Sequence, residues 1–304
     1  MPTLGDIKGR IKQLLQGYTR NQEQISWLTA PMLVTDTSFT ADLGTVSGIT
    51  RGLVEIDDEL LLVNMFNAQT GLVSIAAGPN GRGVENTTAA AHSVNAIVTN
   101  DPDFPAQRIT EALNDTIQAT YPDLYQMKTY EFPKVAARYE YPLPVDVEDI
   151  VRVTVDTIGP SRVWFPSQSW RFNPQASTDT IDGVSTGKSL QIMDFVVPGR
   201  EIRVVYSLMP GRLVADSDDY LTVVGFPERT IDMMMYGAAA RLLSGVEAAR
   251  LQQKSVESTE RAPLVPTGAA SNAAQYYWKL YNDRLNQEMD RLHQLYPTYQ
   301  SFLA

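Results

Sequence analysis

Cysteine is absent from the 304 residues. That excludes a disulfide framework, a zinc–thiolate cluster, an iron–sulfur site and a thiol nucleophile. Histidine is scarce: only His92 and His293 occur, about 200 positions apart. No apolar run approaches the ~20 residues that span a bilayer, so no membrane partner is expected. Basic residues are the minority, 25 against 35 acidic, for a formal charge of -10. Proteins that grip nucleic acid usually carry a basic face, because phosphate neutralisation supplies most of the affinity, and this balance argues against that role. The start, Met1-Pro2-Thr3-Leu4-Gly5-Asp6, lacks a basic segment followed by an apolar one. No signal peptide is expected, and the default is a protein made in a reducing cytoplasm.

What is present is a core. Hydrophobic residues make up 43% of the chain and charged residues 20%, which excludes wholesale disorder and suits about two domains' worth of chain. Leu4, Ile7, Ile11, Leu14, Leu15 and Tyr18 recur at helical spacing behind Thr3, a plausible N-cap with Asp6 three positions on. Lys8, Arg10, Lys12 and Arg20 are expected on the opposite, solvated face. From about residue 32 to 100, Val, Ile, Leu and Thr punctuated by Gly predict a small β-barrel or sheet. Within it, Leu53–Ile56 and Leu60–Val63 read as strands turning at Asp57-Asp58. Asp103 is the expected N-cap of a helix bearing Ile109, Leu113 and Ile117, which ends at Tyr121-Pro122.

Residues 128–225 predict a larger, sandwich-like β domain, with a hairpin of Leu190–Val197 and Ile202–Tyr206 about Pro198-Gly199. Two long helices close the chain. The first, from Pro227 to about Gln252, carries Ile231, Met234, Met235, Ala238, Leu242, Val246 and Ala249 on one face. The second, about 271–296, carries Trp278, Tyr281, Leu285, Met289, Leu292 and Tyr296. A Ser/Thr/Pro/Gly-rich loop, 253–270, separates them. The expected class is α+β: a four-helix bundle with two β insertions. Its segments are 1–31 (helix and linker), 32–100, 101–127 (helix), 128–225, 226–296 and a tail, 297–304.

The search for chemistry returns little. Gly183-Val184-Ser185-Thr186-Gly187-Lys188-Ser189 has three residues between its glycines where a phosphate-binding loop needs four. Asp182 takes the position of the missing glycine, and a strand rather than a helix follows. Asp57, Asp58 and Glu59 match no calcium loop, and a hairpin turn accounts for them. His92 has no nucleophile motif beside it and reads as a structural hydrogen-bonding residue. His293 reads as a solvated side chain. Trp164 and Trp170 suit core packing, with stacking on sugars as the functional alternative. No catalytic, cofactor-binding or metal-binding residue is expected.

One block is more distinctive. Gly52-Leu53-Val54-Glu55-Ile56-Asp57-Asp58-Glu59-Leu60 is followed by Gly81-Arg82-Gly83, by Thr87-Thr88-Ala89-Ala90-Ala91-His92, and by Phe104-Pro105, Arg108-Ile109 and Asn114. This block resembles the head-to-tail adaptor, or connector, proteins of long-tailed bacteriophages, particularly those of actinobacterial hosts. Asn86 departs from the glycine expected there, though Asn tolerates a left-handed backbone. The resemblance implies a non-enzymatic neck protein of the virion. It would form a ring of about twelve copies that docks beneath the portal and above a stopper or tail terminator. Genomic DNA would pass through its lumen unbound. Tyr296, Tyr299, Phe302 and Leu303, at and after the end of the last helix, are the expected anchors on a neighbouring subunit or the portal. Two other classes compete: a tail, baseplate or carbohydrate-binding component using Trp164 and Trp170, and a hydrolase or nucleotide enzyme using Asp182 to Ser189.

Overall fold

The description that follows comes from a computed structural model and covers residues 2–16, 24–42, 51–78, 81–157, 162–178, 184–254 and 269–296. Helix α1 (Leu4–Leu15) starts where expected, with a full capping box between Thr3 and Asp6, and buries Leu4, Ile7, Ile11 and Leu15.

Six antiparallel strands follow: β1 (Gln24–Trp27), β2 (Ser38–Thr40), β3 (Gly52–Ile56), β4 (Glu59–Asn67), β5 (Leu72–Ile75) and β6 (Ile97–Asn100). Their order is β1-β6-β3-β4-β5-β2. The outer two strands meet through a bridge from Leu28 to Ala41, with Thr29 N–H donating to Thr40 and Asp42 N–H to Trp27, both at 3.0 Å. The sheet therefore closes into a small barrel, which removes exposed edges. Val54, Ile56, Leu61, Val63, Val73 and Val98 fill it. The barrel begins with β1, ahead of the boundary expected at residue 32, because Gln24–Trp27 pairs residue for residue with β6.

Helix α2 (Ala106–Gln118) leads into the second β unit. A four-stranded sheet combines β7 (Gln126–Pro133), β9 (Asp149–Asp156), β10 (Trp164–Pro166) and β13 (Glu201–Leu208). A three-stranded sheet combines β8 (Glu140–Pro142), β11 (Trp170–Asn173) and β12 (Ser189–Ile192). The sheets share one core: Phe132, Val153, Ile202 and Val204 from the first, Tyr141, Leu190 and Ile192 from the second. The expected hairpin of Leu190–Val197 with Ile202–Tyr206 does not form. β12 pairs with β8 and β11, whereas β13 pairs with β7 and β9. Asp194 accounts for this, because it accepts from Ser167 Oγ and from the N–H groups of Gln168 and Ser169, drawing the chain out of β12 before a hairpin can pair.

After a short helix α3 (Tyr220–Val224), which Gly225 ends in a left-handed conformation, come α4 (Ile231–Lys254) and α5 (Ala269–Leu295). Helices α1, α2, α4 and α5 share a third core. α4 is its hub, packing against each of the other three. This explains why α4 buries Met233, Ala239 and Leu243 beside Ile231, Met234 and Ala238, more than the single face its sequence suggested. The side chains of Val246 and Ala249 and most of loop 253–270 lie outside the described residues. Asp103 is not the cap of α2, whose N-cap is Pro105.

Gly237 sets the spacing in this core. A Cβ there would stand 2.4 Å from Thr116 Cγ2 and 3.0 Å from Tyr281. Thr116 is held in place, donating to Ala112 O at 2.7 Å and accepting from Arg241 at 3.2 Å. Helix propensity favours Ala over Gly by about 1 kcal/mol, whereas overpacking costs about 1–3 kcal/mol. Gly237→Ala is therefore expected to destabilise the protein by up to about 2 kcal/mol in chemical denaturation. A gain in stability would show that α4 is not packed this tightly.

Candidate functional site

The residues of the distinctive block converge. The β3–β4 hairpin turns at Asp57, in the left-handed region with φ 53°, and its acidic tip meets three other parts of the chain. Glu59 is 1% exposed. Its Oε1 accepts from Arg82 Nε at 2.6 Å and Gly83 N–H at 3.1 Å. Its Oε2 accepts from Arg82 Nη2 at 2.8 Å, Ala90 N–H at 2.9 Å and His92 Nε2 at 2.9 Å. Arg82 also donates to the carbonyls of Leu33, Asp36 and Ala90. Asp57 approaches His92 Nδ1 at 2.8 Å. Ionised carboxylates only accept, so both ring nitrogens of His92 must carry hydrogen to satisfy this arrangement. Two anions and two cations then balance.

The electrostatics agree. Burial alone would raise the Glu59 carboxyl, but hydrogen bonds from Arg82, His92 and Ala90 outweigh it and hold it at about 2. The hydrogen bond to Glu59 raises His92 above its ordinary value, against burial and with help from Asp57. Every donor and acceptor of Glu59 and Arg82 is thus taken by the chain itself, and nothing is left open for a substrate. The segment 81–92 is strapped to the barrel mouth.

The same hairpin reaches the helices. Asp58 pairs with Lys8 at 2.6 Å, and Lys8 also pairs with Asp216. Glu55 accepts from Lys12 at 3.2 Å and from Ala106 N–H at 2.5 Å, the first N–H of α2. A carboxylate at a helix N-terminus satisfies an orphan donor and meets the positive end of the dipole. Lys8 and Lys12, expected on a solvated face, instead turn toward the barrel, and Lys8 is buried. Their four-residue spacing, matched to Glu55 and Asp58, carried the signal. Asn114 completes the brace, exchanging hydrogen bonds with both backbone groups of Leu213 at 2.8 and 2.9 Å.

The alternatives fare differently. Ser189 opens β12, Lys188 donates to Val147 O at 2.5 Å, and Thr186 to Leu143 O at 2.6 Å. The glycine-rich stretch is thus committed to holding β8 and β12, and residues 179–183 lie outside the described residues. Trp164 and Trp170 belong to different sheets. The first is covered by the Arg203 guanidinium at 3.9 Å, and the second packs against the sandwich core. Among the described residues no group of three or more His, Cys, Asp or Glu is placed to hold a metal ion, and no helix is long and apolar enough to cross a membrane.

Of the four expected anchors, Tyr299, Phe302 and Leu303 lie outside the described residues. Tyr296 is half-buried, its N–H donating to Leu292 O. Its setting is informative. Arg229 meets Glu288 at 3.0 Å and Arg284 meets Asp232 at 3.2 Å, which aligns residue 288 of α5 with the start of α4. The stretch from Met289 to Leu295 therefore runs past α4 by roughly 10 Å at 1.5 Å per residue. It carries an exposed Leu295 and half-buried Met289 and Leu292.

These features define an internally braced protein with three hydrophobic cores, whose charged cluster ties the chain to itself. The comparison with known families agrees: the model of the SU10 adaptor protein family matches residues 87–300, so the chain belongs to that family and is a structural adaptor protein of the bacteriophage virion. No curated protein matches the sequence.

The brace sets a pH window. His92, raised above its ordinary 6.5, contributes fully below that value and its contribution is lost as pH rises through the folded value. Glu59 contributes above its ordinary 4.5, and that contribution is lost as pH falls toward about 2. Denaturation against pH is expected to show a plateau between these ordinary values, with decline on both sides. His92→Gln should remove the alkaline decline. Arg82→Ala, which leaves Glu59 buried and unpaired, should cost about 3–5 kcal/mol near neutral pH.

Proposed function

We propose that the protein is the head-to-tail connector of a long-tailed phage, of the actinobacteriophage type. It forms a ring of about twelve copies beneath the portal and above the stopper or tail terminator, with the helical core as a four-helix bundle at the centre of each subunit. The observation that carries this reading is the adaptor-family match, which runs from Thr87 through both helices of the α4–α5 pair and the whole sandwich. The brace supports it. A subunit under load between capsid and tail gains from charged ties that fix its barrel to its helices.

The charge balance has a use in such a ring. A conduit must not hold the DNA it transmits. A chain of formal charge -10, repeated around a lumen, repels phosphate over roughly a Debye length, ~8 Å at physiological salt. Acidic side chains, rather than Lys or Arg, are expected to face the channel. The overhanging end of α5 directs the chain onward to Tyr299, Phe302 and Leu303, which we assign to the portal or a neighbouring subunit.

Electron cryo-microscopy of virion necks tests the ring, its position and the sign of its lumen. Deleting residues 297–304 tests the tail, with abolished portal attachment in co-sedimentation as the expected outcome. Unchanged portal binding would return the anchors to a role within their own subunit.

A further inference from the structure

Phe195 and Val214 are the two most exposed large apolar side chains among the described residues, at 96% and 82%. They stand at opposite ends of β13. Phe195 belongs to the connection entering the strand at Glu201, and Val214 follows soon after the chain leaves it at Leu208. Eight residues at ~3.3 Å each put roughly 25 Å of rigid strand between them. Isolated exposed apolar residues are ordinary, so the surroundings of each decide what it means.

Phe195 is displayed by construction. The three hydrogen bonds to Asp194, at 2.6, 2.8 and 3.1 Å, lock the backbone beside it. It borders a groove of about 350 Å³ lined by Val155, Phe165 and Val196 together with the polar Ser167, Gln168 and Asp194, whose Oδ2 is taken up by the three hydrogen bonds above. Arg200 lines the same groove. Its Nη1 reaches only the Asp156 carbonyl, at 3.4 Å, and its Nε is buried without a hydrogen-bond partner. No carboxylate pairs with Arg200 among the described residues. A groove of mixed character whose guanidinium pairs with no carboxylate, in a chain of formal charge -10, suits a small apolar side chain accompanied by a carboxylate.

Val214 has that character. It opens the run Val214-Ala215-Asp216-Ser217-Asp218-Asp219, whose backbone is shaped by Asp218 accepting from the N–H groups of Val214 and Ala215 at 2.8 and 2.9 Å. Of the three aspartates Asp216 pairs with Lys8, while Asp218 and Asp219 accept from the N–H groups of Val214, Ala215 and Thr222, so the exposed valine is presented beside negative charge.

We propose that Val214 and its aspartates on one copy seat in the Phe195–Arg200 groove of the next copy. This inference rests on the ring reading above and names its contact. The two surfaces differ and lie at opposite ends of one strand, so the contact is head-to-tail. Such an interface closes a ring when its rotation closes. The groove has room for a valine and its neighbour, and the Arg200 charge rejects a basic occupant.

The absence of cysteine supplies the test. Phe195→Cys and Val214→Cys are made separately in the full chain at positions too exposed to disturb folding, which a thermal melt checks. The two proteins are then mixed and treated with a short bismaleimide, while light scattering reports the oligomer. The expected result is efficient cross-linking in the mixture and little in either protein alone, with yield falling about tenfold when Arg200→Glu is added to the Phe195→Cys chain. Oligomers without this cross-link, or a cross-link indifferent to Arg200→Glu, would overturn the contact and leave the ring reading standing. A chain that stays monomeric at every concentration and within isolated necks would overturn the ring reading, and the contact with it.

Discussion

A buried carboxylate must be answered by donors, and Glu59 organises much of this molecule by that requirement. An unpaired anion in its place would be costly, so Arg82, Gly83, Ala90 and His92 have to be brought to it from a segment more than twenty residues away. Once they arrive, segment 81–92 cannot leave the barrel. Asp57 is fixed by His92, which leaves Asp58 and Glu55 facing the helices. The barrel's orientation on α1 and α2 follows from Lys8, Lys12 and the first N–H of α2 meeting those two side chains. A purely apolar joint would tolerate sliding. Charged ties with fixed hydrogen-bond directions specify one register.

The family match sharpens the meaning of this joint. It begins at Thr87, so nearly all of the barrel precedes it. The hairpin that carries Glu55, Asp58 and Glu59 is outside the matched region. Ala90, His92 and Ala106, three of the groups that receive it, are inside. Lys8 and Lys12 of α1, which pair with Asp58 and Glu55, also precede the match, so the joint between barrel and helices straddles its boundary. Phe104-Pro105 sets the start of α2, which places Ala106 N–H at Glu55.

Much of this was legible in the sequence. Thr3 and Asp6 announced the capping box, the Asp57-Asp58 turn was visible as a break between two apolar runs, and the block from Gly52 to Asn114 marked residues that do come together. Its reading as structural rather than catalytic was available because His92 lacked a nucleophile. The failures have physical causes. Lys8 and Lys12 were placed in water because amphipathicity treats charge as a mark of solvent, whereas long basic side chains bury their stems when carboxylates await them. The false hairpin at Pro198-Gly199 came from reading a turn signal as pairing. Turn chemistry reverses the chain, but Asp194 decides which sheet each arm joins. The extent of burial on α4 was missed because Ala and Gly have no strong periodic signature, and they are the residues a hub helix uses to admit three neighbours.

The helical core and the barrel joint are held by different kinds of interaction. The helical core is held by close backbone approach at Gly237 and by the Asn114–Leu213 exchange, both insensitive to salt and pH. The barrel joint is held by ion pairs whose strength depends on burial. Glu59 and Glu55 are fully enclosed, whereas Asp57 and Asp58 are about half exposed on their side chains. Screening therefore weakens the outer pairs first and leaves the inner strap intact. The outer pairs are Asp57–His92 on the strap and Asp58–Lys8 on the helices, so each joint softens in part while the enclosed Glu59 and Glu55 keep the barrel on its strap and on α2.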